Sequence, residues 1–317
     1  MNLSDLTITG NIATGAGAVA AALQARAVEW DLALTVTPEA LSLLLWEGEL
    51  RLTREGERAR LTITAPERRL VQVIRGALAE WLEPLGVQVD WPGARDEGAL
   101  APGLALMRLV EVVPQGEDFL RVTLEGPEAA RFAQGGWHFR LLVPPQGRVP
   151  HWPRLNDQGR AIWPEGADAL HRAVYTLVGQ EGDRLWFDMV RHVGSPSCDW
   201  AARAMPGAEV AIIGPGGGTC PEAAVIWAFG DATALPALRR MQAEAKGTLR
   251  LWTSAAGVPD AQAAPDLLAA LTEALPGLPP GTHVWFAGHE AEARAARALL
   301  AGAGLAKRDF TAVAYWS

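Results

Sequence analysis

Residues 224–236, Ala224-Val-Ile-Trp-Ala-Phe-Gly-Asp-Ala-Thr-Ala-Leu-Pro236, pass from an unbroken apolar run through a glycine into residues at helical spacing. A strand that is apolar at every position is buried on both faces, which is the situation of a parallel sheet covered by helices. The pattern continues downstream. A helix is predicted over 235–245, a strand over 249–253 and a helix over 266–274. A strand over 283–287, a helix over 290–301 and a strand over 310–315 complete the set. This alternation predicts a parallel α/β domain, whose ligands bind at the carboxyl ends of the strands.

Upstream the grammar differs. Strands are predicted over 107–113, 119–125, 138–143, 174–178, 184–190 and 209–213, with turns between them and no helical periodicity, the pattern of an antiparallel β-barrel. A Pro- and Trp-containing insertion at 146–168 interrupts it, and a loop of that length is expected to cover a ligand. Residues 92–102 carry Pro, Gly and mixed charge without periodicity and are expected to be a linker. Before them, a helix over 18–27, a strand over 32–36, a hairpin over 49–54 and 58–65, a helix opening at Pro66 and a strand over 87–91 predict a small α+β domain. The expected fold class is therefore multidomain. It comprises a small α+β domain with linker (1–97), an antiparallel β-barrel (98–214) and a parallel α/β domain (215–317).

Composition narrows the function classes. A net charge of −8 over 317 residues opposes a sequence-independent grip on nucleic acid, which needs a concentrated positive field. Two cysteines, Cys198 and Cys220, are too few for a disulfide framework. The opening Met1-Asn-Leu-Ser-Asp-Leu6 lacks the basic start and apolar run of a secretory signal, and no stretch reaches membrane-spanning length. A cytoplasmic location without membrane insertion is expected.

Several motifs are weighed and set aside. Gly15-Ala-Gly17 opens a helix, but a dinucleotide fingerprint needs a buried strand before it and a crossover to a parallel strand, whereas a hairpin follows here. Gly214-Pro-Gly-Gly-Gly218 lacks the Gly-Lys-Ser/Thr of a phosphate loop and is read as a turn or hinge. Histidines 138, 151, 171, 192, 283 and 289 have no compact metal-ligand spacing, so no metal site is expected. Of thirteen tryptophans, Trp30, Trp46 and Trp81 are expected to be core or surface anchors. Trp137, Trp152, Trp163 and Trp200 fall where a planar ligand could stack.

An ordered set of segments remains: Met107-Arg-Leu-Val-Glu-Val-Val-Pro114, His138-Phe-Arg-Leu-Leu-Val-Pro144, Tyr175-Thr176, Trp200-Ala-Ala-Arg-Ala-Met-Pro-Gly207, Gly214-Pro215, Gly230-Asp231-Ala-Thr-Ala-Leu-Pro236, Val284-Trp-Phe-Ala-Gly288 and Tyr315-Trp316. In this order they resemble the siderophore-interacting protein family of FAD-dependent ferric-siderophore reductases, relatives of ferredoxin-NADP reductase. The resemblance implies FAD on the barrel, with Tyr175 against the isoalloxazine, Thr176 near its edge and Arg172 and Leu177 beside them. It implies the pyrophosphate at His192, Ser195, Ser197, Cys198 and Trp200, where amides at a helix start can receive an anion. Gly230 and Thr233 would face the nicotinamide or its phosphates, Arg294 could swing toward an adenosine 2′-phosphate, and Asp231, Gly288, Tyr315 and Trp316 complete the cofactor-binding set. The family's Arg-x-Tyr-Thr-x-Arg motif is broken here, since its two arginine positions hold Ala173 and Val178 and Arg172 is one residue off register. No Lys or Arg occurs over 251–293, which favours NADH over NADPH.

The implied activity is NAD(P)H-dependent reduction of a ferric siderophore, with no catalytic side chain required. Two other readings stay open: a non-catalytic siderophore- or ligand-binding protein of the same fold without tight flavin binding, and a flavin oxidoreductase with a different acceptor. The N-terminal domain resembles a small domain sometimes fused to such proteins, which makes it a candidate surface for a protein partner.

Overall fold

The computed structural model describes residues 6–30, 32–46, 48–92, 97–156, 159–256 and 258–317. Residues 1–5 and residues 93–96 of the expected linker lie outside them. The chain divides into two compact units, one of Met1–Leu104 with Arg148–Ala169, the other of Ala105–Gly147 with Leu170–Ser317.

The first unit carries β1 (Leu6–Ile12), α1 (Ala16–Trp30), β2 (Leu34–Val36), β3 (Ala40–Leu45), β4 (Gly48–Glu55), β5 (Arg58–Ala65) and α2 (Arg68–Leu82). The strands pair antiparallel in the order β1-β5-β4-β3-β2. Alternation puts Leu41, Leu43, Leu50, Leu52, Leu61 and Ile63 on one face, where they pack on Val19 and Leu23 of α1 and Leu70, Ile74 and Leu78 of α2. The expected β4–β5 hairpin is present, whereas β1 and β3 were not anticipated. β1 is a short edge strand whose apolar residues Leu6, Ile8 and Ile12 are interrupted by Gly10. A strand does precede Gly15, but it pairs antiparallel with β5, so the dinucleotide reading still fails. The expected strand at 87–91 reduces to one bridge, Asp90 to Asn11. Of the tryptophans, Trp81 is buried and Trp30 and Trp46 are exposed.

The second unit begins with β6 (Leu104–Gln115), β7 (Phe119–Glu125) and β8 (His138–Val143). The chain then enters Arg148–Ala169, which belongs to the first unit and holds a two-stranded ladder, β9 (Arg154–Leu155) with β10 (Ala161–Ile162). There Arg160 pairs with Glu83, and Gly159, at φ +77°, lies against Arg75, where a Cβ would come within 2.2 Å of the guanidinium. Arg148–Ala169 thus packs within the first unit.

β11 (His171–Glu181), β12 (Arg184–Val190), α3 (Pro196–Arg203) and β13 (Glu209–Gly216) complete a closed barrel in the order β11-β12-β7-β6-β13-β8. All six strands were expected. Met107, Leu109, Val122, Leu124, Phe139, Leu141, Phe187 and Ile212, each on one face of its strand, fill the interior. The Gly214–Gly216 stretch is the irregular end of β13 rather than a free hinge.

The parallel sheet contains β14 (Val225–Gly230), β15 (Thr248–Thr253), β16 (Ala261–Ala263), β17 (Thr282–His289) and β18 (Phe310–Trp316), in the order β16-β15-β14-β17-β18. On β14, Ile226 and Ala228 pack with Leu238 and Met241 of α4 (Leu235–Glu244). Trp227 and Phe229 face Leu267 and Leu271 of α5 (Leu267–Ala274) and Ala296 and Leu300 of α6 (Glu290–Gly302). Both faces being covered explains why β14 is apolar throughout. No helix among the described residues is long and apolar enough to cross a membrane.

Candidate functional site

Two clusters of candidate residues form within the second unit. The first lies where β11 meets α3. From His171 to Thr176, β11 pairs with β8 without a register break, so His171, Ala173 and Tyr175 share one face and Arg172, Val174 and Thr176 share the other. The Tyr175 ring lies 4.8 Å from that of Phe187 and 6.3 Å from that of Phe139, and its hydroxyl hydrogen-bonds Ser197. Burial pushes the Tyr175 phenol up to about 12, so it remains a neutral O–H.

α3 starts where it does because Ser195 caps it, accepting a hydrogen bond from the Cys198 N–H, and because Pro196 has the φ of a first helical residue. Ser197 is 1% exposed and its hydroxyl is 3.1 Å from His171 Nε2. The Cys198 thiol donates to the Val190 carbonyl at 3.3 Å, and Trp200 packs against the barrel core. Tyr175, Ser195, Ser197, Cys198 and Trp200 are thus brought together. Arg172 is exposed on the opposite strand face, and His192 is exposed in the loop before α3.

The second cluster joins the barrel to the carboxyl end of the parallel sheet. The Tyr315 hydroxyl, on edge strand β18, hydrogen-bonds the Thr176 side chain and lies 2.8 Å from His138 Nε2. Burial raises the Tyr315 pKa, and burial, then the charge of Arg240, lowers that of His138. Asp231 caps the turn after β14, its Oδ1 accepting from the Thr233 N–H at 2.8 Å and the Thr233 hydroxyl at 2.5 Å. Its Oδ2 accepts from the Trp316 indole N–H at 2.7 Å. Gly230 and Gly288 are narrow points: a Cβ on Gly230 would lie 2.8 Å from that of Ala234, and one on Gly288 would lie 3.2 Å from Asp231 Oδ2. Thr176, Gly230, Asp231, Thr233, Gly288, Tyr315 and Trp316 therefore converge. Arg294 does not join them, because it is paired with Glu290 on its own helix.

Leu177 lies between the clusters and a cavity of about 380 Å³ lined by Arg121, Val178, Gln180, Asp188, Arg239 and Arg240 among others. Its carbonyl accepts from Arg240 at 3.2 Å. Trp137, read from sequence as a possible stacking platform, is buried. Its N–H donates to Glu244 at 3.1 Å and the Arg240 guanidinium lies 4.9 Å from its ring centroid. His138 and His171 were missed as site residues, since sequence reading tested histidines only for metal spacing. Among the described residues no cluster of His, Cys, Asp and Glu could hold a metal ion.

The donor set fits a flavin dinucleotide. An aromatic side chain, hydroxyls and imidazoles suit a planar ring, a polyol and a diphosphate, although no guanidinium shares the Tyr175 face.

Comparison with known proteins agrees. Residues 108–219 match the model of the siderophore-interacting FAD-binding domain. Ferric vibriobactin reductase ViuB of Vibrio cholerae is 30% identical over 140 residues, covering 41% of this chain and 52% of that protein. The NADPH-dependent ferric-chelate reductase of Escherichia coli is 29% identical over 126 residues, covering 38% and 49%. The chain thus spans about half the length of the curated relatives it matches. A siderophore utilization protein from T. fusca superposes with a TM-score of 0.56 at 27% identity, over 67% of this chain and 92% of that one. The ordered motifs, the closed barrel with its parallel sheet and these matches agree: residues 108–219 are similar to the siderophore-interacting FAD-binding domain.

Proposed function

We propose that this chain is an FAD-dependent reductase of ferric siderophores that takes electrons from NAD(P)H and releases iron in the cytoplasm. The observation that carries this reading is the contact of Thr176, on the flavin-domain barrel, with Tyr315, at the carboxyl end of the parallel sheet, because electron transfer needs the two cofactor regions adjacent. When bound, FAD would supply two-electron acceptance from the nicotinamide and one-electron donation to ferric iron.

The chain's own residues position and enclose. Tyr175 offers an apolar face that keeps water from a planar ring, and Thr176 offers a hydroxyl to its edge. Ser195 and Ser197 line the helix start proposed for the diphosphate. Asp231 fixes the turn after β14 and the Trp316 indole together, shaping the entry of a nicotinamide. NADH is favoured over NADPH. No Lys or Arg occurs over 251–293, while Arg294 is held by Glu290 and Arg297 donates to the Ala312 carbonyl at 2.6 Å.

Absorbance of the purified chain before and after incubation with FAD tests the reading, followed by anaerobic titration with NADH and NADPH and a ferrous-iron trap assay on ferric siderophores. Flavin bands bleached more readily by NADH, with ferrous iron released, are expected. A chain that stays colourless and cannot be reconstituted would support the non-catalytic binding reading instead, which Ala173 and Val178 favour.

A further inference from the structure

The FAD reading raises the question of which side chain meets the diphosphate, since the family's arginine positions hold Ala173 and Val178. Arg172 is one residue away, but the unbroken pairing of His171 to Thr176 with β8 fixes it on the opposite face from Tyr175. Moving it across would require a bulge that this ladder does not contain.

The start of α3 provides little by itself. Pro196 has no N–H, Ser195 takes the Cys198 N–H through its hydroxyl, and the Asp199 N–H goes to the Ser195 carbonyl at 2.9 Å. That leaves the Ser197 N–H as first-turn donor, and Asp199 adds negative charge to the same turn.

His171 does lie on the correct face. It and Tyr175 flank Ala173, and at a strand rise of roughly 3.3 Å per residue their backbones are about 13 Å apart. Both nevertheless reach the hydroxyl of Ser197. The two side chains therefore close over the methyl group of Ala173 and converge on the helix start. When Ser197 donates to His171 Nε2, the imidazole proton sits on Nδ1, which becomes a donor on the side of the ring away from the Ser197 hydroxyl.

We infer that His171, positioned by the buried Ser197 hydroxyl, receives the flavin diphosphate in this chain and takes over the task of the arginine that Ala173 replaces. The inference rests on the FAD reading and assigns a ligand within it.

The test compares dissociation constants for FAD and for riboflavin, which lacks the diphosphate, by flavin fluorescence in the full chain. His171→Ala is expected to weaken FAD about 10- to 100-fold, the loss of one charge-assisted hydrogen bond, and to leave riboflavin affinity unchanged. Retained riboflavin binding also reports a folded site. Ala173→Arg, which keeps His171, is expected to tighten FAD alone, and in the double variant the new arginine is expected to restore what His171→Ala loses. Unaltered FAD affinity in His171→Ala, or an equal loss for both flavins, overturns this assignment while the FAD reading stands. A wild-type chain that binds neither flavin overturns both.

Discussion

His138 Nε2 and the Tyr315 hydroxyl lie 2.8 Å apart, joining the first residue of a barrel strand to the edge strand of the parallel sheet. Both groups are largely withdrawn from water, and the Tyr315 hydroxyl serves Thr176 as well as His138. Tyr315→Phe deletes the hydroxyl shared by His138 and Thr176 while keeping the ring. It is expected to cost about 1–3 kcal/mol, the penalty for a buried polar group left without its partner. Urea unfolding measures this, and an unchanged midpoint would refute the contribution.

Three partly buried histidines predict a pH dependence. His138, His171 and His283 are all held below the ordinary histidine range, chiefly by burial. Protons therefore bind the unfolded chain more readily. Their contribution to stability is full above about pH 6.5 and is lost as pH falls through the depressed folded-state values. Thermal midpoints across that range are expected to drop on acidification, and His138→Asn is expected to flatten the slope. A slope identical to wild type would assign the effect to other groups.

Arg121 and Asp188 form a two-pronged pair at 2.8 and 2.9 Å, with the Asp188 side chain only 2% exposed. Arg121→Met strands a buried carboxylate and is expected to destabilise by about 3–5 kcal/mol, whereas Arg121→Met with Asp188→Leu recovers most of that loss. A double variant no more stable than the single one would show that the pair is not the cause.

Gly230 is tight because the helix after it packs close to the strand end. Gly230→Ala sets a Cβ 2.8 Å from Ala234 Cβ and 3.1 Å from Leu238 Cδ1, so overpacking is expected to cost about 1–3 kcal/mol. Calorimetry decides, and a wild-type transition would mean that α4 yields freely.

The sequence made the periodic elements legible. The apolar run of β14 and the alternation of the six barrel strands could be read without tertiary information, since burial on two faces and on one face leave different patterns. β1 and β3 were not legible. β1 is an edge strand with most of its residues exposed, and β3 is a short leucine-rich run that periodicity alone cannot assign. The candidate site was legible where residues are adjacent in the chain, as at Tyr175-Thr176 and Gly230-Asp231.

Sequence by itself therefore determined the order of architectures, a small α+β region, a barrel and a parallel sheet, and the likeness of residues 108–219 to the siderophore-interacting FAD-binding domain. Only the tertiary structure decided which side chains meet. The period of two along β11 sends Arg172 away from Tyr175 and keeps His171 beside it, and closure of the barrel against β18 brings Tyr315 to His138 across 177 positions of chain. Patterns of burial are written locally because each residue carries its own hydrophobicity. Hydrogen-bonded partners far apart in the chain are set by register and closure, which no single segment encodes.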